Sequence, residues 1–196
     1  MSLRPQSSGR PPAAPVHDDA RLLSRVVTGD LRAFETLYRA YHPRLKHFLL
    51  RMLRRPALVD EALNDTLMVV WNRADTYNGH SKVSTWIFAI AYRKALKALS
   101  RLDEPVEDTF AERRGSDAPG PEQQLGQTQT QALLLEAMHG LSPDHRTVVD
   151  LAYFHELGYR EIAEIMDCPV DTIKTRMFHA RRHLRTRLAG QLSDWL

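Results

Sequence analysis

Apolar residues recur at three- and four-residue intervals from Asp18 onward, the spacing of a helix with one buried face. Leu22, Leu23, Val26 and Val27 make the first such face, and Gly29 breaks it. Leu31, Phe34, Leu37, Tyr38 and Tyr41 begin a second, which Leu45, Phe48, Leu49, Met52 and Leu53 continue. Pro43 lies inside it as an expected kink, and Arg54-Arg55-Pro56 ends it. A third helix is predicted from about Ala57 to Ala74, with Leu63, Leu67, Val70 and Trp71 inward, before a loop over residues 75–81. Ser84 is the predicted N-cap of a fourth helix reaching about Arg101. Helical spacing resumes near Gln131. Ser142-Pro143-Asp144 then reads as a helix start, with a capping hydroxyl, a proline at the first position and an acid beside the positive helix end. After Gly158 come a short helix over residues 159–166, a turn at Asp167-Cys168-Pro169 and a long helix over residues 170–188. No stretch alternates with period two. The pattern predicts an all-α chain of two small helical domains, the C-terminal one a helix-turn-helix.

The predicted boundaries are a disordered lead over residues 1–17, domains over 18–101 and 131–190, a flexible linker over 102–130 and a tail over 191–196. Four prolines fall in the first 16 residues. The linker holds three Pro, three Gly and seven acidic residues against two Arg.

The net charge of +3 hides strong segregation. Residues 82–101 carry five basic residues and no acid, and residues 170–190 carry six against Asp171. Residues 57–80 carry four acids and one Arg, and residues 139–167 carry six acids and two Arg. Basic helices in both domains suit a polyanion, because each neutralised phosphate releases counterions.

Other classes are excluded. The longest apolar run, Trp86–Tyr92, is seven residues, against about 20 for a membrane span, so no membrane insertion is expected. Arg4 and Arg10 precede no apolar stretch, so no secretory leader is expected, and a cytoplasmic setting follows. A single cysteine, Cys168, makes neither an internal disulfide nor a cysteine zinc site. His179 and His183, four apart among arginines, make a poor metal pair. No phosphate-cradling glycine loop or nucleophile motif is present, so neither a cofactor nor catalysis is expected.

Within the helix-turn-helix, Ile162 and Met166 face inward from the first helix, Ala163 allows a close crossing, and Ile173 and Met177 anchor the second. That leaves Thr172, Lys174, Thr175, Arg176 and His179 outward on the half-helix that enters a major groove, with Arg181, Arg182 and Arg185 placed for phosphates. Asp167 stands where such turns favour glycine.

Residues 57–101 and 141–188 together resemble the second and fourth conserved regions of bacterial sigma factors of the extracytoplasmic-function group. The first stretch has the acidic helix, Trp71, a short loop, then Thr85-Trp86 and a basic helix; the second is the helix-turn-helix. The resemblance implies a non-catalytic subunit that docks on core RNA polymerase, recognises promoter DNA and helps open it. It places Asp60, Glu61, Asn64 and Asp65 on the polymerase-docking helix. It places Tyr77, Asn78, Gly79 and Lys82 in a loop that captures a flipped minus-10 base, with Arg93, Lys94 and Lys97 on the adjoining phosphates. The family more often has Arg at the position of Ala89 and Asn at that of Arg93. The helix from Val170 would read the minus-35 element. A cognate anti-sigma factor is an implied partner; held by one, the two domains would be clamped, and free they would move about the linker. The competing reading is a stand-alone dimeric helix-turn-helix regulator binding an operator without polymerase.

Overall fold

The computed structural model describes residues 18–103, 137–138 and 140–193. The lead, nearly all of the linker, the predicted helix start at Gln131 and the last three residues lie outside them. Among the described residues there are seven α-helices, one 3-10 turn and no strand.

The first unit holds α1 (Asp19–Val27), α2 (Leu31–Leu53), α3 (Pro56–Asn72), a 3-10 turn (Ala74–Thr76) and α4 (Val83–Asp103). Asp18 caps α1 by accepting from the Arg21 N–H at 3.2 Å. Asp30 caps α2 by accepting from the N–H groups of Arg32 and Ala33, while Arg25 donates to its other oxygen at 2.6 Å. Gly29, at φ +83°, supplies the left-handed corner between them. Helix α2 runs unbroken through Pro43, whose ring is exposed. Its buried face is one file: Leu37, Tyr41, Leu45, Phe48, Leu49 and Leu53. That file holds the helix on the core and offsets the hydrogen bond proline cannot make. Arg54, left-handed at φ 57°, ends it and Pro56 starts α3.

Two boundaries differ from expectation. Helix α3 stops at Asn72, and Ala74 is buried in the 3-10 turn that follows. Helix α4 begins at Val83, so Ser84 lies inside its first turn and is no cap; the Trp86 N–H already bonds the Lys82 carbonyl at 3.1 Å. Burial of Val83 and Thr85 pulls the start forward by two residues.

The second unit holds α5 (Pro143–Tyr153), α6 (Tyr159–Met166) and α7 (Val170–Ser193). Ser142 caps α5 and Pro143 fills its first position, as predicted. Gly158 precedes α6, and its N–H donates to Glu161 Oε2 at 2.9 Å. The turn from α6 to α7 is left-handed at Asp167, φ 49°, and the Cys168 N–H closes it on the Ala163 carbonyl at 3.1 Å. Helix α7 runs five residues beyond the predicted end at 188. Ile162, Ile173, Met177 and Ala180 are fully buried where the helices cross.

The two units pack together, α4 on α6 and α2 on α5, and their apolar residues merge into one core. His155, 8% exposed, lies against Phe48 and Phe88 of the first unit with ring centroids 6.0 and 4.7 Å away. Arg51 of α2 bonds the buried carboxylate of Asp150 in α5 and stacks on Phe154 at 3.7 Å. The apolar faces of α2 and α4 are wide enough to cover each other and a second layer as well.

Candidate nucleic-acid and polymerase interface

The loop after the 3-10 turn is built on an aromatic base. Tyr77 is half-buried, its ring centroid 5.7 Å from that of Trp86 on α4, and its hydroxyl donates to the Ser81 carbonyl at 2.5 Å. Asn78 Oδ1 accepts from the His80 N–H at 3.1 Å, and Gly79 takes φ +75°. This side-chain turn leaves Asn78, Gly79 and His80 exposed at the tip, with the Asn78 amide NH₂ available as a donor. Lys82 follows and pairs with Glu161 of the second unit at 3.0 Å. Trp71 and Trp86, expected in the core, are only half-buried at its rim; Trp71 meets Phe34 edge-on at 5.0 Å.

Behind the loop, α4 presents Arg93 and Lys97 to solvent. Lys94 does not stand free for phosphate: it donates to Asp65 Oδ2 at 2.9 Å, and one face further along Arg101 donates to Glu61 Oε1 at 3.0 Å. The acidic helix α3 and the basic helix α4 therefore neutralise part of each other, which their separate charge sums conceal. Asp60, Glu61, Asn64 and Asp65 are all exposed on α3.

On α7, Lys174, Thr175, His179, Arg181 and Arg182 are exposed and Thr172 is half-exposed. Local bonds order several of them. Lys174 reaches Asp171 at 2.9 Å and holds that carboxyl below the usual carboxylate range. The Thr175 hydroxyl donates to the Asp171 carbonyl, and Arg181 Nε donates to the Tyr153 hydroxyl at 3.0 Å. Arg176 departs from expectation. Its side chain is only 25% exposed, drawn toward Asp144 at 2.5 Å and the Cys168 sulfur at 3.7 Å. The acid at the start of α5 supplies the counter-charge, and the half-buried thiol fills the space beneath. The two histidines four apart join no metal cluster among the described residues; His183 instead turns its Nε2 toward Gly140, at 2.8 Å from where a Cβ would stand.

Three residues that sequence reasoning missed lie at the junction: Arg51, Asp150 and His155. The available signal was Asp150 itself, a carboxylate inside the apolar run Val148-Val149-Asp150-Leu151. Burial opposes the charge of Glu161, but the Gly158 N–H, Lys82 and the Thr85 hydroxyl outweigh it and hold its carboxyl below the usual range.

Comparison with known proteins matches this arrangement. The sequence profile described as Sigma-70 region 2 covers residues 37–104, and that described as Sigma-70, region 4 covers residues 131–184. The ECF RNA polymerase sigma-E factor of Haemophilus influenzae is 28% identical over 180 residues, spanning 87% of this chain and 95% of that protein. The ECF RNA polymerase sigma factor RpoE of Cereibacter sphaeroides is 29% identical over 163 residues, 82% of this chain and 88% of that one. Among solved structures, the sigma factor RpoE of Bartonella quintana, in complex with the anti-sigma factor NepR, superposes with a TM-score of 0.68 at 25% identity, covering 81% of this chain and 98% of that one. CnrH, in complex with the cytosolic domain of CnrY, shares the fold at a TM-score of 0.64 and 19% identity, covering 88% and 97%. With both conserved regions in order on two helical units, the chain belongs to the extracytoplasmic-function group of bacterial RNA polymerase sigma factors.

Proposed function

We propose that this sigma factor binds core RNA polymerase through the exposed acidic face of α3 and directs initiation by reading a minus-10 element with the 77–82 loop and a minus-35 element with α7. The observation that carries the reading is the pairing of a sigma region 2 unit with a sigma region 4 helix-turn-helix in one chain. A non-catalytic role fits, since the chemistry belongs to polymerase.

The roles of individual residues follow from geometry. The Asn78 amide, exposed beside the Tyr77–Trp86 wall, suits the edge of an unstacked base. Gly79 lets the loop turn so that its backbone can approach that base. Arg93 and Lys97 line the route of the adjoining phosphates, while Lys94 reaches them once Asp65 turns to polymerase. In the major groove, Lys174, Thr175 and Arg176 meet base edges, with Thr172, His179, Arg181 and Arg182 at the flanks. Asp60, Glu61, Asn64 and Asp65 offer carboxylates and an amide to a basic surface of polymerase. No helix among the described residues is long and apolar enough to cross a membrane, which accords with work in the cytoplasm alongside polymerase and DNA. An anti-sigma factor is the expected regulator, as NepR is in the solved complex with RpoE.

Run-off transcription with core polymerase tests the reading. Promoter-dependent product is expected only when the chain is added. Arg176→Ala should lower use of the minus-35 element by about 1–3 kcal/mol in apparent affinity. Asn78→Ala should leave closed-complex formation intact and slow opening. Specific duplex binding by the chain alone, with no transcription on adding polymerase, would sink the reading in favour of a stand-alone regulator.

A further inference from the structure

Two imidazoles meet where the start of α5 reaches the exposed face of α7. The ring centroids of His145 and His179 are 6.1 Å apart, with planes tilted by 51°. His179 is exposed one turn beyond Thr175, and His145 is half-buried in the first turn of α5. Ser142 Oγ shares a hydrogen bond with His145 Nδ1 at 2.8 Å, which fixes the ring and leaves Nε2 for another partner. Phe178 meets the His179 ring edge-on at 5.5 Å. The surroundings are largely cationic. From α7, Arg176 and His183 face His145, and Asp144 of α5 is the acid beside it, already occupied by Arg176 at 2.5 Å. From α4, Tyr92 lies toward the same Asp144 and Arg176, its phenol held protonated by burial. His183 keeps its Nε2 buried beside Gly140 and is not part of the opening. Burial, with His179, Arg176 and His183 adding to it, holds the His145 imidazole below its usual range against the pull of Asp144.

A ring pair so placed carries little charge until an anion arrives. A phosphate brought beside it offsets the neighbouring cations and accepts from protonated ring nitrogens, each N–H reaching an oxygen at about 2.9 Å. The two oxygens of one phosphate suit two donors on facing rings. We propose that His145 and His179 form a proton-linked phosphate clamp, which grips one backbone phosphate at the flank of the minus-35 element and adds the start of α5 to the DNA-contacting surface. The inference rests on the reading above of α7 as the minus-35 helix. Arginine and lysine contacts keep their charge from pH about 5.5 to about 7.5, whereas these two rings gain theirs across that range. Binding therefore takes up protons, and DNA is held more tightly as the pH falls.

A phosphate contact is indifferent to sequence, so a labelled duplex of random sequence is the probe, titrated with the full-length chain at fixed ionic strength. Wild-type affinity should rise by about tenfold between pH about 7.5 and about 5.5. His145→Gln and His179→Gln should each cut that rise to about twofold and change affinity at the higher pH little. The double variant should lose little more than either single one, because two rings on one phosphate act as a unit. His179→Arg carries a fixed charge, so at the higher pH it should approach the affinity that the wild type reaches at the lower, a gain that a merely structural histidine would not give. It also decides the matter if circular dichroism shows that a glutamine variant has not folded. Single variants that keep the full rise, losses that add in full, an arginine variant no tighter than wild type, or a wild-type chain that binds no duplex at either pH would each overturn the clamp. Duplex results as expected, with no promoter-dependent run-off product on adding core polymerase, count instead against the sigma-factor reading and leave the clamp standing.

Discussion

At the scale of single residues, neighbours across space decide what sequence spacing leaves open. The helical repeat placed Arg176 outward with Lys174 and Thr175, yet Asp144, 32 positions earlier, draws it half inside. Lys94 was equally legible as basic, but its ion pair with Asp65 on the neighbouring helix α3 was not. Buried cores were easier to read: Ile162, Met166, Ile173 and Met177 are all interior, since apolar periodicity reports burial directly. Titration adds a second residue-scale consequence. Burial holds the imidazoles of His47 and His145 below their usual range, with Arg51 adding to the first and His179 and Arg176 to the second. Each therefore binds less proton folded than unfolded, so the stability tied to its neutral form is full above a pH of about 6.5 and is lost as the pH falls through the folded value. The urea midpoint should drop between pH 7.5 and 5.5, and His145→Gln should flatten that drop. An equal drop in the variant would show that His145 is not responsible.

Among the elements, α2 shows how far helix signals carry. Its apolar file was plain in the sequence, and so were the break at Gly29 before it and its end at Arg54-Arg55-Pro56. Through Pro43 the helix stays continuous, one missing hydrogen bond being set against six buried side chains from Leu37 to Leu53. Pro43 is exposed, so its removal opens no cavity, and Pro43→Ala restores the bond to the Arg39 carbonyl. The variant should be more stable by up to about 3 kcal/mol, read as a higher melting temperature. A lower one would mean that the proline ring makes a contact alanine loses. The start of α4 was misplaced by two residues because Ser84 offered good capping chemistry, but burial of Val83 and Thr85 set the boundary.

For the whole molecule, two helical units and their order along the chain were legible, whereas their mutual packing was not. The residues that join them, Arg51, Asp150 and His155, are scattered in sequence and carry no spacing that marks a pair. Charge shows the same limit, since sums by segment place basic and acidic helices without saying which of them touch. The basic surface still makes a prediction. Arg182 is exposed on α7 beyond the reading half, so Arg182→Ala should weaken promoter binding about equally across minus-35 sequences and reduce the slope of log affinity against log salt by about 1. A loss confined to one sequence would make it a base contact instead.

The paired carboxylates Glu161 and Asp144 have a consequence inside a cell crowded with DNA. They engage Lys82 and Arg176, two of the cations that the proposed function turns toward DNA. A chromosome offers on the order of a million or more non-specific sites, and a protein with bare basic helices is soaked up by them. Any random stretch of duplex must first displace these two acids, each worth up to about 1 kcal/mol, so bulk DNA holds the chain less tightly and more of it stays at large to meet polymerase.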